Sequence, residues 1–269
     1  MFRTKLVAAL FAGTILSGAA MAQNMPGEGV TVRPVIGLIS EEYFQSRILF
    51  RALEDLGYTV ATPLETEIQT AHLSVGTGDA DFYPIHWQNL QQAFFDESGG
   101  DDVLERLGPF VDGMLQGYLV DKASFDAGVT DLGQLSDPEI AARFDADGNG
   151  TADLAGCVPG WGCERVIEHH LTEYGLRDTV THNQGSYNAL IGDAIARQQS
   201  GESILYYTWT PYWVSGELVP GENVEWLSVP YTSLPDSVVA DTEFAGHNLG
   251  FAVDSMFILA SDEFLEANP

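Results

Sequence analysis

The spacing of apolar residues changes character along the chain. Val30 to Ile39 is extended and rich in strand formers, and from Ser40 the apolar positions fall every three or four residues. Phe44, Ile48, Leu49, Ala52, Leu53 and Leu56 then share one predicted helical face, with Ser40 as a candidate cap and Gly57 as the stop. Tyr58 to Ala61 reads as a second strand, so the chain opens β-α-β, the unit that builds parallel sheets. From Gly76 a turn leads through Asp79 and Asp81 into Phe82, Tyr83 and Ile85. That run sets Trp87 at the end of a predicted strand, where ligands of open α/β sheets collect.

Two later segments, Gly113 to Lys122 and Leu249 to Ser261, read as strands that bracket a middle region with its own α/β pattern, and so as crossovers between two lobes. In that region Cys163 to Tyr174 is helical by spacing, with Val166, Ile167, Leu171 and Tyr174 on one side and Gly175 as the stop. Tyr187 to Gln198 is a second helix. Ile204 to Tyr207 is a strand that enters an aromatic turn from Thr208 to Trp213. The sequence ends at Pro269 just as Phe264 to Ala267 begins a helix, which implies an unfinished lobe.

The first residues read as an address. Arg3 and Lys5 precede an apolar run from Leu6 to Leu16, and Ala20-Met21-Ala22 supplies a small-residue cleavage site. A mature chain starting near Gln23, exported and released, is the expectation; a lipid tether would need cysteine where Gln23 stands. The net charge of −28, from 39 acidic and 11 basic residues, makes nucleic acid a poor partner and suits a salty environment. Cys157 and Cys163 are the two cysteines of the chain, and in an oxidising compartment they favour a short-loop disulfide. Zinc would need a second pair of thiols besides His169 and His170.

Candidate chemistry then centres on three tryptophans: Trp87 after a strand, Trp161 inside the cysteine loop, and Trp209 in the aromatic turn. One tryptophan alone is most simply a packing residue, and Trp213 and Trp226 read that way. In Pro159 to Glu164 two glycines flank Trp161 and a helix follows at once. The free amides of a helix start form a ready carboxylate site, and Gly162 allows close approach. A zwitterion with a bulky cation at one end and a carboxylate at the other matches both features. The same segment fits a disulfide-pinned surface turn equally well.

Two other patterns compete. Asp145, Asp147, Asn149, Thr151 and Asp153 follow a calcium-loop spacing, but the twelfth position falls on Gly156 and brings no bidentate glutamate. This segment supports either a structural calcium ion, and with it an exported calcium-stabilised structural or binding module, or a solvated Asp/Gly turn. An enzyme with Cys163 as nucleophile and His169 or His170 as base is the third reading, set aside because an exported cysteine with a nearby partner is most simply oxidised.

The strings GCVPGWGCE (156–164), THNQGSY (181–187), YYTWTPYW (206–213) and QGYLVDK (116–122) closely resemble the glycine betaine/proline betaine-binding periplasmic proteins of ABC transporters. The resemblance implies a type II periplasmic-binding fold with two α/β lobes around a ligand cleft, the C-terminal part that completes the first lobe being missing. It divides the chain into a signal peptide (1–22), the first part of lobe 1 (23–115), lobe 2 (116–252) and a return into lobe 1 (253–269). It implies a cage of Trp87, Trp161 and Trp209 around a quaternary ammonium, with the carboxylate on the backbone of Gly162 and Cys163. At the position where the family carries a histidine that assists the carboxylate, this chain has Gln91, which donates a hydrogen bond but carries no charge. His86, one residue before Trp87 on a strand, points to the opposite face. Glycine betaine, or a relative such as choline, carnitine or dimethylsulfoniopropionate, is the implied ligand. The implied partners are the membrane subunits of the transporter, for a monomeric periplasmic protein without cofactor or catalysis.

Overall fold

The computed structural model describes Met25–Pro269, so the signal peptide expected over 1–22 lies outside the described residues. β1 (Thr31–Val32) and β2 (Val35–Ile36) lead into α1 (Ser40–Asp55). β3 (Thr59–Val60) and β4 (Leu64–Glu65) return to pair in parallel, β3 on β1 and β4 on β2. α2 (Ile68–Gly76), β5 (Phe82–Trp87) and α3 (Gln92–Glu97) follow, and then the long β6 (Leu104–Asp121).

The second lobe contains the short helices α4 (Lys122–Asp126) and α5 (Pro138–Ala141), then β7 (Ala152–Ala155), α6 (Gly162–Glu173), β8 (Val180–Asn183), α7 (Tyr187–Gln199) and β9 (Leu205–Thr210). β10 (Val224–Trp226) and a small hairpin of β11 (Glu243–Phe244) and β12 (His247–Asn248) come next. β13 (Asp254–Ser261) carries the chain back, and α8 (Asp262–Ala267) ends it.

One sheet runs through both lobes in the order β5-β13-β6-β9-β7-β8, with β10 also on β6. The parallel neighbours of β7 are β8 and β9, while β6 is antiparallel to β9, β10 and β13. β6 changes partner midway: Met114 pairs with Asp254, and the next residue, Leu115, pairs with Thr210. Along the same strand the burial pattern shifts from mixed before Gly113 to continuously buried from Met114 onward, as expected where a strand leaves a half-solvated edge for a core covered on both faces.

Several elements differ from the sequence expectation. Ile39 occupies the cap position of α1, with no side-chain cap bond, and Ser40 is the first helical residue, its hydroxyl donating to Glu41. The buried stripe of α1 is Glu42, Ser46 and Phe50, flanked by Tyr43, Leu49 and Leu53. Phe44, Ile48 and Leu56 are exposed instead. At about 100° per residue, Phe44 and Ile48 lie on the opposite side of the helix from Ser46. The helix is thus oriented by its contact with β2 and β5 rather than by its most hydrophobic arc. The second crossover begins at Asp254 rather than Leu249, and β9 continues through Thr208 and Trp209 to Thr210, so Trp209 is a strand residue and not part of a turn.

In the acidic loop, carboxylate oxygens of Asp145, Asp147 and Asp153 come within 4.8 Å of one another. They are engaged by the loop's own amides: Asp145 accepts from Gly148, Asn149 and Gly150, and Asp153 accepts from Ala146 at 2.7 Å. Asn149 accepts from both the amide and the hydroxyl of Thr151. This is the bonding of a self-closed Asx turn.

Candidate functional site

On the first lobe the wall of the site is the end of β5 and the loop that follows. Trp87 is the last strand residue, and Gln91 caps α3 while its Oε1 accepts from the Trp87 amide at 3.0 Å. Asp254, buried on β13, accepts from the amides of Asn89 at 3.0 Å and Leu90 at 2.9 Å, so the loop between Trp87 and Gln91 is pinned from the returning strand. Burial raises the Asp254 carboxyl above its ordinary range, and these amide bonds partly offset that.

His86 turns away from this wall. It is fully buried, and its Nε2 accepts from Arg106 Nε at 3.0 Å. Its Nδ1 lies 2.9 Å from Nε2 of His72, whose Nδ1 reaches the Ile68 carbonyl at 2.8 Å. With the Arg106 donor fixed, protons on both Nδ1 atoms complete the chain with neutral rings. Burial lowers His72 to about 4 and His86 to about 2, which keeps both uncharged at neutral pH.

On the second lobe Trp161 is the cap residue of α6, with extended backbone, and Gly162 and Cys163 open the helix. Their amides precede the point where an intrahelical carbonyl becomes available, so they are free to bind an anion. The Cys157–Cys163 disulfide, with Cα atoms 6.0 Å apart, closes the loop that carries Trp161. The Gly160 amide donates to Glu164 at 2.6 Å and braces the same loop. Reducing the disulfide is expected to lower stability by about 2 kcal/mol, the entropy of a short closed loop. A denaturant midpoint measured with and without dithiothreitol checks this, and an unchanged midpoint would show that the bridge is not formed.

Trp209 is the penultimate residue of β9 and stacks on Tyr212 at 4.3 Å between ring centroids, with Tyr187 at 4.7 Å. Trp161 meets the Trp209 ring edge-on at 6.1 Å. The Tyr187 hydroxyl donates to the Tyr207 carbonyl and meets the Thr208 hydroxyl, each at 2.9 Å, which fixes the plane against which Trp209 rests.

Trp87, Gln91, Trp161, Gly162, Cys163 and Trp209 all line one cavity between the lobes. Glu41 and Glu42 of α1 line it too, and neither was singled out from the sequence. Two acids in the first turn of a helix are the ordinary complement of its dipole, so the sequence held no sign that they turn into a cleft. The lobes touch closely at this point: a Cβ on Gly162 would stand 2.4 Å from the Leu90 carbonyl oxygen.

The groups of the nucleophile reading are used structurally. Cys163 is in the disulfide, His169 meets Ser233 Oγ at 2.7 Å, and His170 bridges the Tyr118 hydroxyl and the Ser233 carbonyl at 2.9 Å each. Burial lowers His170 to about 4.

Residues 30–269 match the family described as the substrate-binding domain of ABC-type glycine betaine transport systems. The chain is 47% identical over 271 residues to the glycine betaine/proline betaine-binding periplasmic protein of Escherichia coli, covering 100% of this chain and 82% of that protein. It is 48% identical over 267 residues to the glycine betaine-binding periplasmic protein OusX of Dickeya dadantii, covering 98% of this chain and 80% of that one. Among solved structures, lactococcal OpuAC in its closed conformation with glycine betaine superposes with a TM-score of 0.67 at 18% identity, over 89% of this chain and 80% of that chain, a likeness of fold. Among the described residues no helix is long and apolar enough to cross a membrane.

Proposed function

The chain belongs to the family of substrate-binding domains of ABC-type glycine betaine transport systems, and from that premise we propose how it holds its solute. Its function is that of the substrate-binding component of an ABC transporter, taking glycine betaine or a related quaternary-ammonium solute and working with the transporter's membrane components. The quaternary ammonium sits among Trp87, Trp161 and Trp209, and the carboxylate lies on the amides of Gly162 and Cys163, with Gln91 as a neutral donor beside them.

The observation that carries this reading is the convergence of three indoles, one from the first lobe and two from the second, on a cavity that also contains a helix start. A methylated ammonium has no N–H to give, so ring faces suit it better than a directional acceptor does. Each desolvated ring contact is worth about 0.5–2 kcal/mol, and three supply much of the ~8 kcal/mol of a micromolar complex. The amides and the dipole of α6 contribute at the other end. The acidic surface, the close relation to periplasmic proteins and the bridged cysteines support an exported, monomeric protein whose leader is removed near Ala22.

Titration of the protein with glycine betaine, proline betaine, choline, carnitine and dimethylsulfoniopropionate, followed by tryptophan emission, tests the reading. A saturable emission change with a midpoint near the micromolar range for at least one of them is expected. Unchanged emission and an unchanged melting temperature across the panel would overturn it.

A further inference from the structure

We propose that Glu42 is a charge-selecting residue of this cavity: when ionised it favours ligands with net positive charge, and when protonated it leaves the cavity to zwitterions. The inference rests on the reading that the three tryptophans hold the ligand's ammonium group.

Glu42 is the third residue of α1, is 6% exposed, and lines the same cavity as Trp87, Trp161 and Trp209. Its Oε2 is buried with no side-chain hydrogen-bond partner among the described residues. Gly37 makes room for it, since a Cβ there would stand 2.0 Å from that oxygen. A buried carboxyl without a cationic partner favours its neutral form, and here burial outweighs the opposing backbone amide of Gly37 and, with Glu41 and Glu67 nearby, pushes it up to about 8. A permanent cation admitted to the same cavity would be its first close counter-charge.

The direction of the effect follows from net charge. A ligand such as choline brings one positive charge and no carboxylate, so it stabilises ionised Glu42, binding releases the proton, and affinity rises with pH until the carboxyl is fully ionised above about 8. Glycine betaine brings both signs, whose fields at Glu42 largely cancel, so its affinity changes less. The ratio of choline to glycine betaine affinity therefore rises with pH.

The tyrosines and histidines packed in and behind the cavity walls do not account for such a shift. Tyr83 on β5 and Tyr207 on β9 are buried and held well above their ordinary value, and Tyr212 is pushed up to about 12. His72 on α2 and His86 on β5 are neutral throughout the range. Glu41 is raised by its own burial and lines the same cavity, so it needs a control.

The test is tryptophan-emission titration of the full chain with choline and with glycine betaine at pH 6 and pH 9, for the unaltered protein, Glu42→Gln and Glu41→Gln. In the unaltered protein and in Glu41→Gln the choline-to-betaine affinity ratio is expected to rise about tenfold between the two pH values, as for a single buried charge pair. In Glu42→Gln it is expected to stay flat. A ratio that is flat in the unaltered protein, or that rises equally in Glu42→Gln, overturns the proposal while leaving betaine binding intact. Failure of every ligand to bind removes the reading on which it rests. Because the glutamine mimics the neutral carboxyl, its melting temperature at pH 6 should match the unaltered protein. If it does not fold, proton release on choline binding to the unaltered protein at pH 7, read from the buffer dependence of the calorimetric enthalpy, decides alone: release supports the proposal and its absence ends it.

Discussion

Trp161→Ala is expected to weaken glycine betaine binding by about ten- to thirtyfold while the fold stands. The ring is a cap residue on a loop tied by the Cys157–Cys163 bridge, is only partly buried, and meets its neighbours Tyr187 and Trp209 at 6.4 Å and 6.1 Å between centroids. Its indole nitrogen has no hydrogen-bond partner among the described residues, so truncation leaves no orphaned acceptor behind. Most of what the ring does is therefore offered to the cavity. Trp209 is a poorer probe, because its ring is packed against Tyr187 and Tyr212, and its loss would cost about 3 kcal/mol of stability besides affinity. Trp161→Phe retains a smaller face and should recover part of the loss. Calorimetric titration and a parallel melt separate the two effects; an affinity within threefold of the unaltered protein in Trp161→Ala would remove this ring from the cage.

Gly162→Ala is expected to abolish measurable binding although the substitution adds one methyl group. Gly162 opens α6 on one side of the cleft, and the added Cβ would lie 2.4 Å from the Leu90 carbonyl oxygen and 2.8 Å from the Leu90 Cγ on the other. The Leu90 backbone cannot yield, because its amide is held by Asp254. The helix itself tolerates alanine better than glycine, so the second lobe loses no stability by the change. The steric conflict is resolved by moving the lobes apart, which takes Trp87 away from Trp161 and Trp209. Small-angle scattering of this variant, at a glycine betaine concentration that saturates the unaltered protein, is expected to show a larger radius of gyration than the unaltered complex, with the same melting temperature in the absence of ligand. Wild-type affinity in this variant would mean that the contact with Leu90 is absent from the liganded state.

Those two residues also show what was legible beforehand. The GCVPGWGCE string announced itself through glycines, cysteines and an aromatic at a helix start, because each of those types has few uses in that combination. The β-α-β opening and the two helices of the middle region were legible from periodicity. The orientation of α1 was not. Phe44 and Ile48 look like core by spacing, yet the helix presents Glu42, Ser46 and Phe50 to the protein. Its orientation is decided by β2 and β5, which are distant terms that a local pattern does not contain. Glu42 was hidden for the same reason, since a first-turn acid looks solvent-facing until the partner strands are in place. Trp209 was assigned to a turn because β9 runs on through two threonines and a tryptophan, residues that suit a strand edge as well as a bend.

The shared strand β6 has a mechanical consequence. It runs unbroken from one half to the other, bonded to β13 up to Met114 and to β9 from Leu115. Gly113, with φ of +69° and open space around its Cα, sits one residue before that exchange. Two ribbons fastened edge to edge resist sliding but flex readily across their width, so any movement of one half on the other is expected as a swing about a line near Met114 and Asp254 and not as a shear. Travel is least at that flexure and greatest at the outer rims, where a small swing becomes a large change of outline.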